Sequence, residues 1–85
     1  MHYMQTTMFV VQDWHLSGWH DMRVVHEDNS ETVVSFGTLR EAARYLTAHV
    51  VELAEEGIGV ELVDYRIVRR DGDGDTVEIS FGEGA

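Results

Sequence analysis

Eighty-five residues carrying 16 aspartates and glutamates, six arginines, no lysine and no cysteine have a formal charge of −10. A chain of that length holds one core, and without cysteine it makes neither disulfides nor thiolate metal sites. Duplex nucleic acid and anionic membranes call for lysine and arginine, so direct binding to either is disfavoured and a basic protein surface is the complementary partner.

The acidity is spread along the chain. Residues 1–37 hold five acids and one arginine, residues 38–57 four and two, and residues 58–85 seven and three. Solubility alone is a competing reason for it. The start, Met1-His2-Tyr3-Met4-Gln5, lacks the basic-then-apolar order of a signal peptide. No apolar run approaches the roughly 20 residues of a membrane span, so the expectation is a soluble, cytoplasmic protein.

Three strands are expected first. The run from about Gln5 to Gln12 contains Met8-Phe9-Val10-Val11; a second spans about Met22 to Glu27 and a third about Thr32 to Phe36. Asp28-Asn29-Ser30-Glu31 reads as the hairpin turn between the last two. Between the first two lies Asp13-Trp14-His15-Leu16-Ser17-Gly18-Trp19-His20-Asp21, expected as a loop with both tryptophans. Tryptophans among polar groups either anchor a protein interface or cover the end of a small core.

A helix follows over about Thr38 to Glu56. Thr38 and Glu41 make a Thr-x-x-Glu capping box. Leu39, Ala42, Ala43, Leu46, Val50, Leu53 and Ala54 recur at helical spacing as one apolar stripe, and Gly57 is placed to stop the helix in a left-handed conformation. Glu55 and Glu56 stand at the end where negative charge is unfavourable, which hints at a role on the surface. Val60 to Arg69 reads as a fourth strand with Val63, Tyr65 and Ile67 inward. Thr76 to Phe81 reads as a fifth with Val77, Ile79 and Phe81 inward, joined to it by the turn Asp71-Gly72-Asp73-Gly74-Asp75. Gly82 to Ala85 is expected to fray. The fold class is α+β: an antiparallel sheet of four to five strands with one amphipathic helix, in the order βββαββ, as a single domain over residues 1–85.

The chemical motifs are weak. Asp71, Asp73 and Asp75 have the spacing of the first acidic ligands of a calcium loop, but Thr76 stands where glycine is needed and Gly82 where the closing glutamate belongs. His2, His15, His20, His26 and His49 form no helical ligand pair, though His15 and His20 flank one loop. Ser17, Ser30, Ser35 and Ser80 lack a nucleophile-elbow context. No cofactor, metal or catalytic residue is expected.

From Trp19 to Leu46, a tryptophan opens two strands and Val33-Val34-Ser35-Phe36-Gly37-Thr38 leads into Glu41-Ala42-Ala43-Arg44-Tyr45-Leu46. This stretch, about a third of the chain, resembles the three-strand-plus-helix arm-binding domains of phage-type integrases. The resemblance implies the fold. That family's sheet face is basic and contacts DNA, whereas Arg23 here stands against Glu27, Asp28 and Glu31. In size, acidity and layout the whole chain is similar to small phage-encoded inhibitors such as anti-CRISPR proteins. That resemblance implies a non-enzymatic, DNA-mimicking inhibitor of a basic nucleic-acid-handling protein, acting in the cytoplasm of a host cell.

On this reading Trp14 and Trp19 are the apolar anchor, and Glu52, Glu55, Glu56, Asp71, Asp73 and Asp75 supply charge. A second reading is a structural or assembly module that self-associates through sheet edges or the Trp14–Trp19 segment. The third is a small enzyme or ligand-binding fold that uses the histidines. The expected state is a monomer or homodimer.

Overall fold

The run Met8–His15 forms strand β1, and the sheet is built around it in the computed structural model, which describes residues 6–81. Gln5 and Gly82–Ala85, part of the expectations above, lie outside those residues. Strands β2 (Gly18–Asp21), β5 (Ser35–Phe36), β6 (Tyr65–Asp71) and β7 (Gly74–Ser80) join β1 in one antiparallel sheet. The order across it is β2-β1-β6-β7, with β5 taking the part of the β1 edge that β2 leaves free. Strands β3 (Arg23–Val25) and β4 (Glu31–Val33) form a separate two-stranded hairpin.

The order βββαββ holds, with two strands interrupted. At Val11 the sheet forks: Met22 donates to the Val11 carbonyl, Val11 to Val34, and Val34 to Met22, at 2.8 to 3.1 Å. Past this junction the chain leaves β1 and pairs with itself as β3–β4. Met22 and Val34 face the core at the fork, whereas Val24 and Val25 beyond it are exposed. The radius of gyration is 14.0 Å, against about 12 Å for a compact chain of this length.

The segment Asp13–Asp21, expected as a loop, is instead a second hairpin. β1 continues to His15 and pairs with β2 through Trp14↔Trp19 and His15↔Gly18. Leu16 and Ser17 close it with φ of 50° and 61°, the mirror-image turn whose twist matches the flanking strands. Sequence rules ask for asparagine or glycine at such positions, which is why this turn did not announce itself.

Helix α1 spans Leu39–Glu55 with Thr38 as its cap. The Thr38 hydroxyl accepts from the Glu41 N–H at 3.2 Å and lies 3.1 Å from the Glu41 carboxylate, to which it donates. Glu41 therefore binds the cap's side chain, where a full capping box would have it bind the cap's backbone N–H. At the other end Gly57 has φ 80°, its N–H reaching Ala54 while Ile58 reaches Leu53. These two bonds complete a Schellman stop. Ala42 and Leu46 are buried against Val11, Val34, Tyr65 and Ile67. The stripe loses cover toward the C-terminus, and Ala54, expected within it, is exposed.

Two further expectations are corrected. Residues 60–64 are not strand: Leu62–Asp64 make a 3-10 turn where the chain descends from the helix end, and Val63 is exposed. The strand begins at Tyr65. In β7 the register jumps, pairing Ile67 with Ile79 but Val68 with Val77. Glu78 is thus an extra residue, a bulge, and strict alternation fails across it. Val77 turns to the face away from the helix, and it and Phe81 are largely exposed, while Ile79 stays half-buried.

Candidate functional site

Cross-strand partners share a face of the sheet, so the register alone places Gln12, Trp14, Trp19, Asp21, Arg66, Val68, Arg70, Asp75 and Val77 on the side away from α1. Their polar groups are joined. Gln12, only 5% exposed, donates to Asp21 at 2.8 Å and accepts from Arg66 Nε at 2.8 Å. Arg70 is bidentate to two carboxylates: to Asp21 at 2.8 and 3.0 Å, and to Asp75 at 2.7 and 2.8 Å. Val10 and Val68, which the register places in the row between Arg70 and the Gln12–Asp21 pair, are fully buried beneath this span.

The network ends in the tryptophans. The Arg66 guanidinium lies 4.4 Å above the Trp19 ring, a cation–π contact. Trp19 meets Trp14 edge-on at 5.4 Å. The β1–β2 hairpin is thereby tied to the sheet by a continuous chain of side chains. Trp14 remains 47% exposed and Leu16, at the tip, 89%.

The charges follow from this geometry. Hydrogen bonds from Arg70, with a further one from Gln12, hold the Asp21 carboxyl below its usual range against the opposing effect of burial. Arg70 does the same for Asp75, and the two carboxylates raise the pKa of Arg70. On the helix side, burial raises the Tyr65 phenol, with Asp13 and Asp64 adding to it. His15 stacks on His20 at 4.1 Å and shares a 2.8 Å contact with Asp13. Among the described residues no three histidine or carboxylate groups are placed to hold a metal ion.

The two tryptophans are brought together; the six acids are not. Glu52, Glu55 and Glu56 leave the helix at the end of the fold where β6 begins, because Val50 and Val51 lie beside Leu62. Asp71–Asp75 closes the other end of that strand, about 20 Å away at 3.3 Å per residue. Much of its charge is already engaged. Asp75 is bound by Arg70, and Asp71 accepts from the Asp73 N–H at 2.8 Å as a turn-forming contact. Asp73 alone is left outward. By contrast Glu52, Glu55, Glu56, Glu61 and Asp64 enter no ion pair among the described residues, and the last helical turn has no basic residue.

Gln12, Asp21, Arg66 and Arg70 escaped sequence reasoning. The alternation Arg66-Val68-Arg70 could have marked one polar face of a strand. Nothing in the sequence couples Arg70 to Asp21, 49 residues away.

Fold and face together define a small α+β domain, one helix on a five-stranded antiparallel sheet, with an arginine–tryptophan network on the face the helix leaves bare. No family model, curated protein or solved structure matches the chain at a significant level. No helix among the described residues is long and apolar enough to cross a membrane.

Proposed function

We propose that the protein is a non-enzymatic binding module whose acidic, tryptophan-bearing end engages a basic surface on a partner protein that handles nucleic acid. One observation carries this reading: five carboxylates between Glu52 and Asp64, unpaired among the described residues, stand at the same end of the sheet as the projecting Trp14–Trp19 hairpin. The pairing Asp13↔Tyr65 sets the hairpin's outward reach beyond that end, and Asp64 is close enough to act on Tyr65. Carboxylates present to arginine the paired oxygens that phosphate presents, so a surface evolved for nucleic acid is the complementary class. Charge steers the encounter and desolvated aromatics hold it. The Asp71–Asp75 turn contributes less, being at the far end and largely neutralised. An inhibitor that occupies such a surface, of the anti-CRISPR kind, is the specific form of this proposal.

The test is capture of partners from lysate on the protein and on a Glu55→Lys/Glu56→Lys variant. The helix dipole predicts that this variant is more stable, by about 0.3–1 kcal/mol per site, so lost capture cannot be blamed on unfolding. The expected result is a basic protein retained at about 50 mM salt, released well before about 500 mM, displaced by added DNA and missing from the variant. Capture that ignores both salt and the charge reversal refutes the proposal.

A further inference from the structure

Helix α1 packs chiefly on β1, β5 and β6, so the sheet runs one strand beyond its cover. Beside the helix opens an apolar groove of about 230 Å3, floored by Ile67 and Ile79 and walled by Val50, Val51, Leu62 and Phe81. Its rim is open: Val51 is 50% exposed and Phe81 44%. β7 is the last strand in the sheet order, and its outer backbone edge has no partner among the described residues. Such edges are usually guarded by proline, lysine or free charge. Residues 74–80 contain no proline and no lysine. Both carboxylates of β7 are held by arginines of β6, Asp75 by Arg70 at 2.7 Å and Glu78 by Arg69 at 3.4 Å. The bulge at Glu78 is the one guarding device, and it leaves Ile79 and Phe81 lining the groove.

Charge changes sign along this groove. Arg40 and Arg44 line an adjoining shallow cavity that shares Ala43 and Thr47 with the groove. At the other end Glu55 follows Val51 by one helical turn, and Glu61 and Asp64 bracket Leu62 and Val63, all unpaired among the described residues. We propose that the β7 edge and the groove bind an extended segment of another protein as an added antiparallel strand. Alternate apolar side chains enter the groove, and arginine or lysine occupies the N-terminal half, over Phe81 and Leu62. Main-chain hydrogen bonds supply affinity in this mode and the alternating side chains supply specificity. A second copy fits poorly, since its own residues 74–80 hold no arginine or lysine to meet Glu55, Glu61 and Asp64, and each chain carries a charge of −10. The site shares Glu55, Glu61 and Asp64 with the function proposed above but not the tryptophan hairpin, so a Trp14→Ala variant distinguishes failure of one from failure of the other.

The experiment uses capped octapeptides in which valine alternates with polar residues. One carries arginine at the polar positions of its N-terminal half, one carries glutamate there, and one has the first composition with its valines contiguous. The arginine peptide is expected to protect the backbone amides of Gly74–Ser80 from hydrogen exchange. It should bind about tenfold more tightly than the glutamate peptide. Val51→Glu, an exposed helix position, should weaken it by about tenfold, and Trp14→Ala should leave it unchanged. Equal binding of the contiguous-valine peptide, or no added protection of β7, overturns the proposal. So does protection of the same amides that grows with protein concentration alone, which assigns the groove to a second copy.

Discussion

Replacing Asp21 with alanine tests the network on the bare face most directly. Asp21 accepts three hydrogen bonds, two from Arg70 and one from Gln12. Arg70 keeps its bidentate contact to Asp75 and has a side chain 37% exposed, so its loss is on the scale of a surface pair, about 0.5–1 kcal/mol. Gln12 is different. It is buried, and its amide would face a void with a donor unpaired, at a cost of about 1–3 kcal/mol. The sum, about 1.5–4 kcal/mol, is a large share of the roughly 4–13 kcal/mol that 85 residues provide. Urea unfolding followed by tryptophan fluorescence measures it, because Trp19 lies in the same network. If the buried amide dominates, Gln12→Leu/Asp21→Ala should be more stable than Asp21→Ala alone, with a coupling energy of about 1 kcal/mol or more. A cycle that closes additively, within about 0.5 kcal/mol, refutes the reasoning and leaves Gln12 a bystander.

Three other predictions are independent of it. Asp21 and Asp75 have folded-state pKa values below their unfolded ones, so their stabilisation is complete above the unfolded value, near 3.9, and fades as pH falls through the folded values. Acid titration of unfolding free energy should therefore show a decline below about pH 4 that is shallower in Asp21→Asn; an unchanged slope in that variant contradicts the assignment. Leu16→Asn/Ser17→Gly relieves two non-glycine residues at positive φ and should stabilise the hairpin by about 1–2 kcal/mol, read as a raised urea midpoint, while removing an apolar tip from the proposed interface. Gly57→Ala meets no neighbouring atom within 4 Å, so its effect is that of backbone strain alone: a loss of about 1 kcal/mol, with a gain in thermal stability counting against the Schellman stop.

What the sequence determined is whatever depends on neighbours within a turn or two. The cap at Thr38, the buried faces of Ala42 and Leu46 and the stop at Gly57 are local events, governed by backbone hydrogen bonds a few residues apart, and each is legible from spacing. The order of the main strands around the helix and their antiparallel pairing followed from the short connections between them, though not their ends. The bare-face network was not legible, because it depends on the register of β1 with β2 and β6 and of β6 with β7, strands drawn from across the chain. A single extra residue at Glu78 sends Val77 to one face and Ile79 to the other, where alternation had put both inward. Whether an acid is free is also a tertiary fact. Asp75 and Glu55 look alike in the sequence, yet Arg70 is folded onto the first and no arginine reaches the second among the described residues. Composition set the net charge; only the fold, by spending arginines on particular carboxylates, decided where that charge remains available to a partner.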